Sequence, residues 1–156
     1  MFSTHRDAVE TLTEQSATTR RVLAAVPEAA WSWKPHEKSR TTGELAWHLA
    51  TGLRWFVADA LKLPVSPKPE PAPTGTAGLV EAFDALTREC LSAVKKKDDA
   101  WIRAKADFFG KPTTNGGILG SQVVHEAHHR GQLGLYIRIN QGRVPPICGP
   151  SADASS

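Results

Sequence analysis

Three of the chain's six histidines, His125, His128 and His129, crowd into five consecutive residues. At helical pitch His125 and His129 stand roughly 40° apart around the axis, on one face. Two imidazoles so placed can converge on a single metal ion. The same letters spell H-E-x-x-H, the pattern in which a zinc protease uses the enclosed glutamate as its general base. That reading fails on its surroundings. A zinc protease needs a third ligand, and no His or Glu follows His129; the only later carboxylate is Asp153. The extended protease pattern asks for Gly at position 132 and His at position 135, where this chain has Gln132 and Leu135. Glu126 is therefore expected to be exposed or to support a ligand, and His128 to lie on the flank of the face.

The missing partner is sought upstream. His48 stands on the apolar face of a second helical segment, between Leu45, Leu49 and Trp55. Alone it reads as a hydrogen-bonded core histidine. Three inward imidazoles from two helices of one bundle are a different matter, because they need either acceptors or a shared cation. Without one or the other, each buried polar group costs a few kcal/mol. Ser121, His129, Gln132 and Tyr136 all fall within roughly 40° of His125. Gln132 and Tyr136 are thus candidates to support a ligand or to face a substrate. Asp59, roughly in line with His48 three turns on, is a candidate to orient a ligand. Structural hydrogen bonding is the competing role for all three.

The elements that must position these residues are helical. Apolar positions recur at three- and four-residue spacing over residues 4–26, which Pro27 ends. Residues 30–35 form an aromatic loop, with Trp31 and Trp33, suited to lid one end of a core. Thr41-x-x-Glu44 is a capping box that opens the second helix. Residues 64–73 hold five prolines and read as a surface connection. The third helix is expected over residues 76–94, with Leu79, Phe83, Leu86 and Cys90 as its stripe. Residues 99–120 read as irregular, anchored by Trp101, Ile102, Phe108 and Phe109. The fourth helix is expected over residues 121–140. No strand alternation of useful length is visible. The expected fold is all-α, a four-helix bundle formed by one domain over residues 1–150, with a flexible tail at 151–156.

Composition removes other classes of function. A chain of 156 residues with 40% hydrophobic and 22% charged residues is an ordinary globular protein. The net charge is +3, and the only basic run, Lys95-Lys96-Lys97, is followed at once by Asp98-Asp99. This reads as a solvated helix end and not as a nucleic-acid patch. No stretch is apolar enough for a membrane span and no secretory signal is visible. Cys90 and Cys148 read as free thiols in a reducing cytoplasm, Cys90 in the core.

Glu44-Leu45-Ala46-Trp47-His48-Leu49, together with His125-x-x-His128-His129-Arg130-Gly131-Gln132-Leu133, resembles the DinB/YfiT-like family. The Trp31-x-Trp33-Lys34-Pro35 loop and the trailing Arg143-Val144-Pro145-Pro146 are similar to it too, so the likeness runs from about residue 4 to residue 151. It implies an up-down-down-up bundle, often dimeric, holding a divalent ion, zinc or nickel, on His48, His125 and His129. It also implies a metalloenzyme acting on a small molecule. Small-thiol-dependent S-transfer leads, since relatives include transferases that use bacillithiol or mycothiol and a mycothiol-dependent isomerase. Metal-dependent hydrolysis and a non-catalytic, stress-related metal-binding bundle are the alternatives. The family name carries no implication of DNA binding.

Overall fold

A computed structural model describes residues 1–64 and 72–153 of the chain. Helix α1 (His5–Ala24) starts where the Thr4 hydroxyl accepts the Asp7 N–H, and Asp7 adds a favourable charge to the first turn. Helix α2 (Thr42–Ala60) opens on the expected capping box: Thr41 accepts from Glu44 N–H, and the Glu44 carboxylate accepts from Thr41 N–H. Helix α3 (Thr76–Lys95) buries Leu79, Phe83, Cys90 and Val94. After a one-turn helix α4 (Asp99–Arg103), strands β1 (Lys105–Phe108) and β2 (Lys111–Thr114) form an antiparallel hairpin, with Lys105 opposite Thr114 and Phe108 opposite Lys111. Helix α5 (Asn115–Ile139) closes the bundle.

Contacts between the helices fix the directions. Phe2, just ahead of α1, donates its N–H to Gly116 at the start of α5, so these helices run parallel. His5 at the start of α1 meets Val94 at the end of α3, so these run antiparallel. His48 and Gly52 of α2 meet His129 and His125 of α5 in reversed order, again antiparallel. The result is the expected all-α bundle, in up-down-down-up order. Of the proline-rich segment between α2 and α3, residues 65–71 lie outside the described residues. No helix among the described residues is long and apolar enough to cross a membrane.

Two expectations need correction. α5 begins at Asn115, six residues before Ser121, because Thr114 caps it by accepting the Gly117 N–H. The glycines there read as loop but serve close packing: a Cβ on Gly116 would collide with the Phe2 carbonyl oxygen. Residues 99–114 are likewise ordered, as α4 and the hairpin. Asp98 caps α4, and a two-residue turn at Phe109 and Gly110, both with positive φ, joins strands too short to show alternation. At the other end, Ser151 donates to the Val144 carbonyl and Asp153 accepts from Val144 N–H; residues 154–156 lie outside the described ones.

The core divides in two. One apolar cluster gathers Val22, Leu23, Leu49, Phe83, Leu133 and Ile137; the other gathers Leu12, Leu53, Ile102, Ile118 and Leu119. Between them α1 contributes buried Ser16 and Thr19, and α5 contributes buried Gln122, Glu126, His129 and Arg130. A polar layer therefore crosses the bundle between two apolar ones. Burial of so many polar groups demands that they satisfy one another or a ligand.

Candidate metal centre

His48 reaches the centre from the middle of α2, and His125 and His129 reach it from consecutive turns of α5. The Nε2 of His48 lies 3.1 Å from the Nε2 of His129 and 3.1 Å from the Nε2 of His125. The three ligand atoms all fall within 4.8 Å of one another, a group that could hold a metal ion. Gly52, one turn after His48, makes the approach possible: a Cβ there would stand 3.0 Å from His125 Cε1.

Protonation favours ligation. Burial pushes His48 down to about 4, and the nearby positive charge of Arg40 and the His129 ring push the same way. Burial, followed by the other two imidazoles of the trio, pushes His125 down to about 4. His129 is also lowered by burial, against the hydrogen bond to Gln132, which raises it. All three rings are thus neutral at pH 7, the form that binds metals.

The nitrogens fit an ion better than they fit each other. His129 Nδ1 lies 2.7 Å from Gln132 Oε1, an acceptor, so the ring proton sits on Nδ1 and Nε2 presents a bare lone pair. A proton on His48 Nε2 can serve one of its two neighbours well, which leaves the remaining lone pairs facing one another. A cation satisfies all three at once. Two imidazole nitrogens bound at ~2.0–2.1 Å to a tetrahedral zinc stand about 3.3 Å apart, close to the observed contacts.

The other predicted residues divide. Gln132, although exposed, supports His129 as described. Tyr136, one turn further, is half-buried and takes the edge of Trp33 at 5.3 Å between ring centroids. Trp31 lies against Gly43, and Thr42 donates to the Trp33 carbonyl, so the aromatic loop does cover one end of the core, over the start of α2. Asp59 does not join the trio: three turns separate it from His48, about 16 Å along the helix. One of its carboxylate oxygens, Oδ2, is buried without a partner. His128 is exposed, with its ring at 4.8 Å from that of His129. Cys90 is buried and its thiol is pushed up to about 12, which makes it a core residue and not a nucleophile.

Glu126 corrects the expectation of exposure. It is buried, accepts from Gln122 Nε2 at 2.8 Å, and pairs with Arg130 at 3.5 Å. Arg130, also buried, donates to the Gln15 carbonyl, the Gln15 side chain and the Thr19 hydroxyl. Burial pushes the Glu126 carboxyl up to about 7, against the pull of Arg130 and Gln122. Sequence reasoning missed this network, yet its signal was present. Gln122, Glu126 and Arg130 recur every four residues, a second polar stripe beside the histidine stripe.

Comparison with known proteins agrees with the fold. Residues 11–133 match the model of the DinB superfamily. The chain is 22% identical over 155 residues to the uncharacterized protein YrdA of Bacillus subtilis, covering 98% of this chain and 93% of that one. It is 24% identical over 143 residues to YjoA of the same organism, covering 88% and 84%. Among solved structures, a DinB-like protein from Bacillus cereus superposes with a TM-score of 0.84 at 24% identity, covering 94% of this chain and 99% of the other. The crystal structure of YjoA superposes with a TM-score of 0.75 at 21% identity, covering 92% and 98%. At these identities the superpositions speak for the fold.

Proposed function

The chain belongs to the DinB superfamily, and from that premise we propose that it is a metal-dependent enzyme, a small-thiol S-transferase centred on His48, His125 and His129. The observation that carries this reading is the pair of 3.1 Å contacts that His48 Nε2 makes with the other two Nε2 atoms. Three imidazoles suit zinc or nickel and leave a coordination position for a molecule from outside. A divalent ion held there supplies Lewis acidity and lowers the pKa of a bound thiol, so that thiolate is present at neutral pH.

The chain's own residues do the rest. Gln132 holds the His129 ring in the tautomer that frees Nε2. Arg40, whose charge already opposes protonation of all three imidazoles, favours an anionic sulfur or leaving group at the same place. His48 and His125 are half-buried, which leaves the centre within reach of a small substrate. Tyr136 and Trp33 stand one turn beyond Gln132 as an aromatic wall for the apolar part of that substrate. In the transfer, the thiol sulfur bonds to an electrophilic carbon, the leaving group departs with its electron pair, and the thiol proton passes to solvent.

The test is thiol consumption by zinc- or nickel-loaded protein. It uses a generic alkylating electrophile and a panel including cysteine, bacillithiol and mycothiol. Conjugation that chelation abolishes is the expected result. Stoichiometric metal without any thiol consumption contradicts the transferase reading, and ester or amide cleavage in its place points to a hydrolase. We place the enzyme in the cytoplasm, where Cys90 and Cys148 stay free thiols. The exposed apolar stripe of Val124, Leu135 and Ile139 along α5 supports a homodimer. Sedimentation at twice the mass of the chain is expected, and sedimentation at the single-chain mass contradicts it.

A further inference from the structure

An imidazole that gives its Nε2 lone pair to a metal carries its one proton on Nδ1, and that proton needs an acceptor. His129 has one, Gln132 Oε1 at 2.7 Å. His125 has none: its Nδ1 is buried without a hydrogen-bond partner. Less than one turn earlier on α5, the carbonyl oxygen of Gln122 is also buried without a partner, in a side chain that is 0% exposed. The two atoms lie close to the same glycine of α2. A Cβ added to Gly52 would lie 3.1 Å from His125 Nδ1 and 3.5 Å from Gln122 Oε1. A donor in waiting and a free acceptor thus flank a glycine of the facing helix.

We propose that Gln122 is the positioning residue of His125, its carbonyl oxygen accepting the Nδ1–H of that ring when Nε2 holds a metal ion. The inference rests on the metal reading above and extends it to a residue outside the trio. The amide of Gln122 is already oriented for this task. Its Nε2 donates to Glu126 Oε1 at 2.8 Å, which leaves the carbonyl as the end available to accept. Glu126 is in turn held by Arg130 at 3.5 Å, and Arg130 is anchored on Gln15 and Thr19 of α1. Through this chain of contacts a helix that supplies no ligand sets the orientation of one. Gln132 does the same for His129 from the exposed side, so each α5 ligand has its own amide.

Two measurements on tag-free protein test the proposal. The first is a zinc titration against a competing chelator. Gln122→Met, close to Gln in length but without an acceptor or donor, is expected to bind zinc roughly 10- to 100-fold more weakly than wild type. The second is nitrogen-15 NMR of zinc-loaded wild type. It should show a slowly exchanging His125 Nδ1 proton coupled through the hydrogen bond to the Gln122 side-chain carbonyl. In Gln122→Met that signal should vanish while the His129 Nδ1 signal persists, which general loosening of the bundle would not produce. Unchanged zinc affinity in a folded Gln122→Met, or a wild-type His125 Nδ1 proton that exchanges freely with water, overturns the inference and leaves the metal centre standing. Wild type that takes up no zinc removes the metal reading itself, and this inference with it. Should Gln122→Met fail to fold, the wild-type spectrum alone decides.

Discussion

The Nε2 atoms of His48 and His129 lie 3.1 Å apart although 81 positions separate the two residues in the chain. Burial of this contact holds the rings neutral, and neutrality has a signature in the pH dependence of the metal-free protein.

His48 and His125 titrate near 4 in the folded chain and near 6.5 when unfolded. Between those values the unfolded state holds two protons that the folded state lacks, so stability falls as pH falls. Glu126 has the opposite sign: near 7 when folded and 4.5 when unfolded, its contribution is lost as pH rises. From pH 4.5 to 6.5 the two histidines outweigh it by about one proton, and His129 adds to their side. Denaturant midpoints measured with chelator present should therefore rise over that interval. In Glu126→Gln they should rise more steeply. A flat or falling profile would show that the imidazoles are not buried neutral.

Arg130 and Glu126 respond unequally to substitution. Arg130→Ala removes the donor that the Glu126 carboxyl, the Gln15 carbonyl and the Thr19 hydroxyl share, and each buried acceptor left unpaired costs about 1–3 kcal/mol. Glu126→Gln replaces a group that burial already holds close to neutral, and keeps its contacts with Gln122. Chemical denaturation should rank Arg130→Ala as clearly the more damaging. Equal losses would mean that the contacts of Arg130 with α1 add nothing to its pairing with Glu126.

Gly52→Ala separates ligand geometry from stability. Alanine raises helix propensity by up to about 1 kcal/mol, while its methyl would stand 3.0 Å from His125 Cε1 and 3.1 Å from Nδ1. Thermal unfolding of the metal-free protein should change little. Metal affinity should drop by about tenfold as the ring is pushed aside. Wild-type affinity in Gly52→Ala would show that His125 has room to spare.

Much of this was legible in the sequence, because its signals were local and periodic. Thr41-x-x-Glu44 announces the start of α2, and the spacing of His125 and His129 announces a shared face. His48 was found because an imidazole is out of place between Leu45 and Leu49. What stayed hidden depends on tertiary contacts. The first turn of α5 is rich in glycine, and only the Phe2 carbonyl pressed against Gly116 explains why a helix is preferred there. The hairpin strands are four residues each, below the length at which alternation shows. Once the protease reading fails, Glu126 reads as exposed or ligand-supporting, and only Arg130 on its own helix, itself anchored on Gln15 and Thr19 of α1, accounts for its burial. Asp59 shares the His48 face in projection, but projection down an axis discards distance along it.

The central claim is that His48, His125 and His129 form one metal centre, and the most direct measurement is metal stoichiometry by elemental analysis after equilibration with zinc or nickel, on protein without an affinity tag. One ion per chain is expected for the wild type, falling to well below half occupancy in each of His48→Ala, His125→Ala and His129→Ala while the helical content of the protein is retained. Full occupancy that survives His48→Ala and His129→Ala would contradict the account, because no ion bound elsewhere can be the one these nitrogens converge to hold.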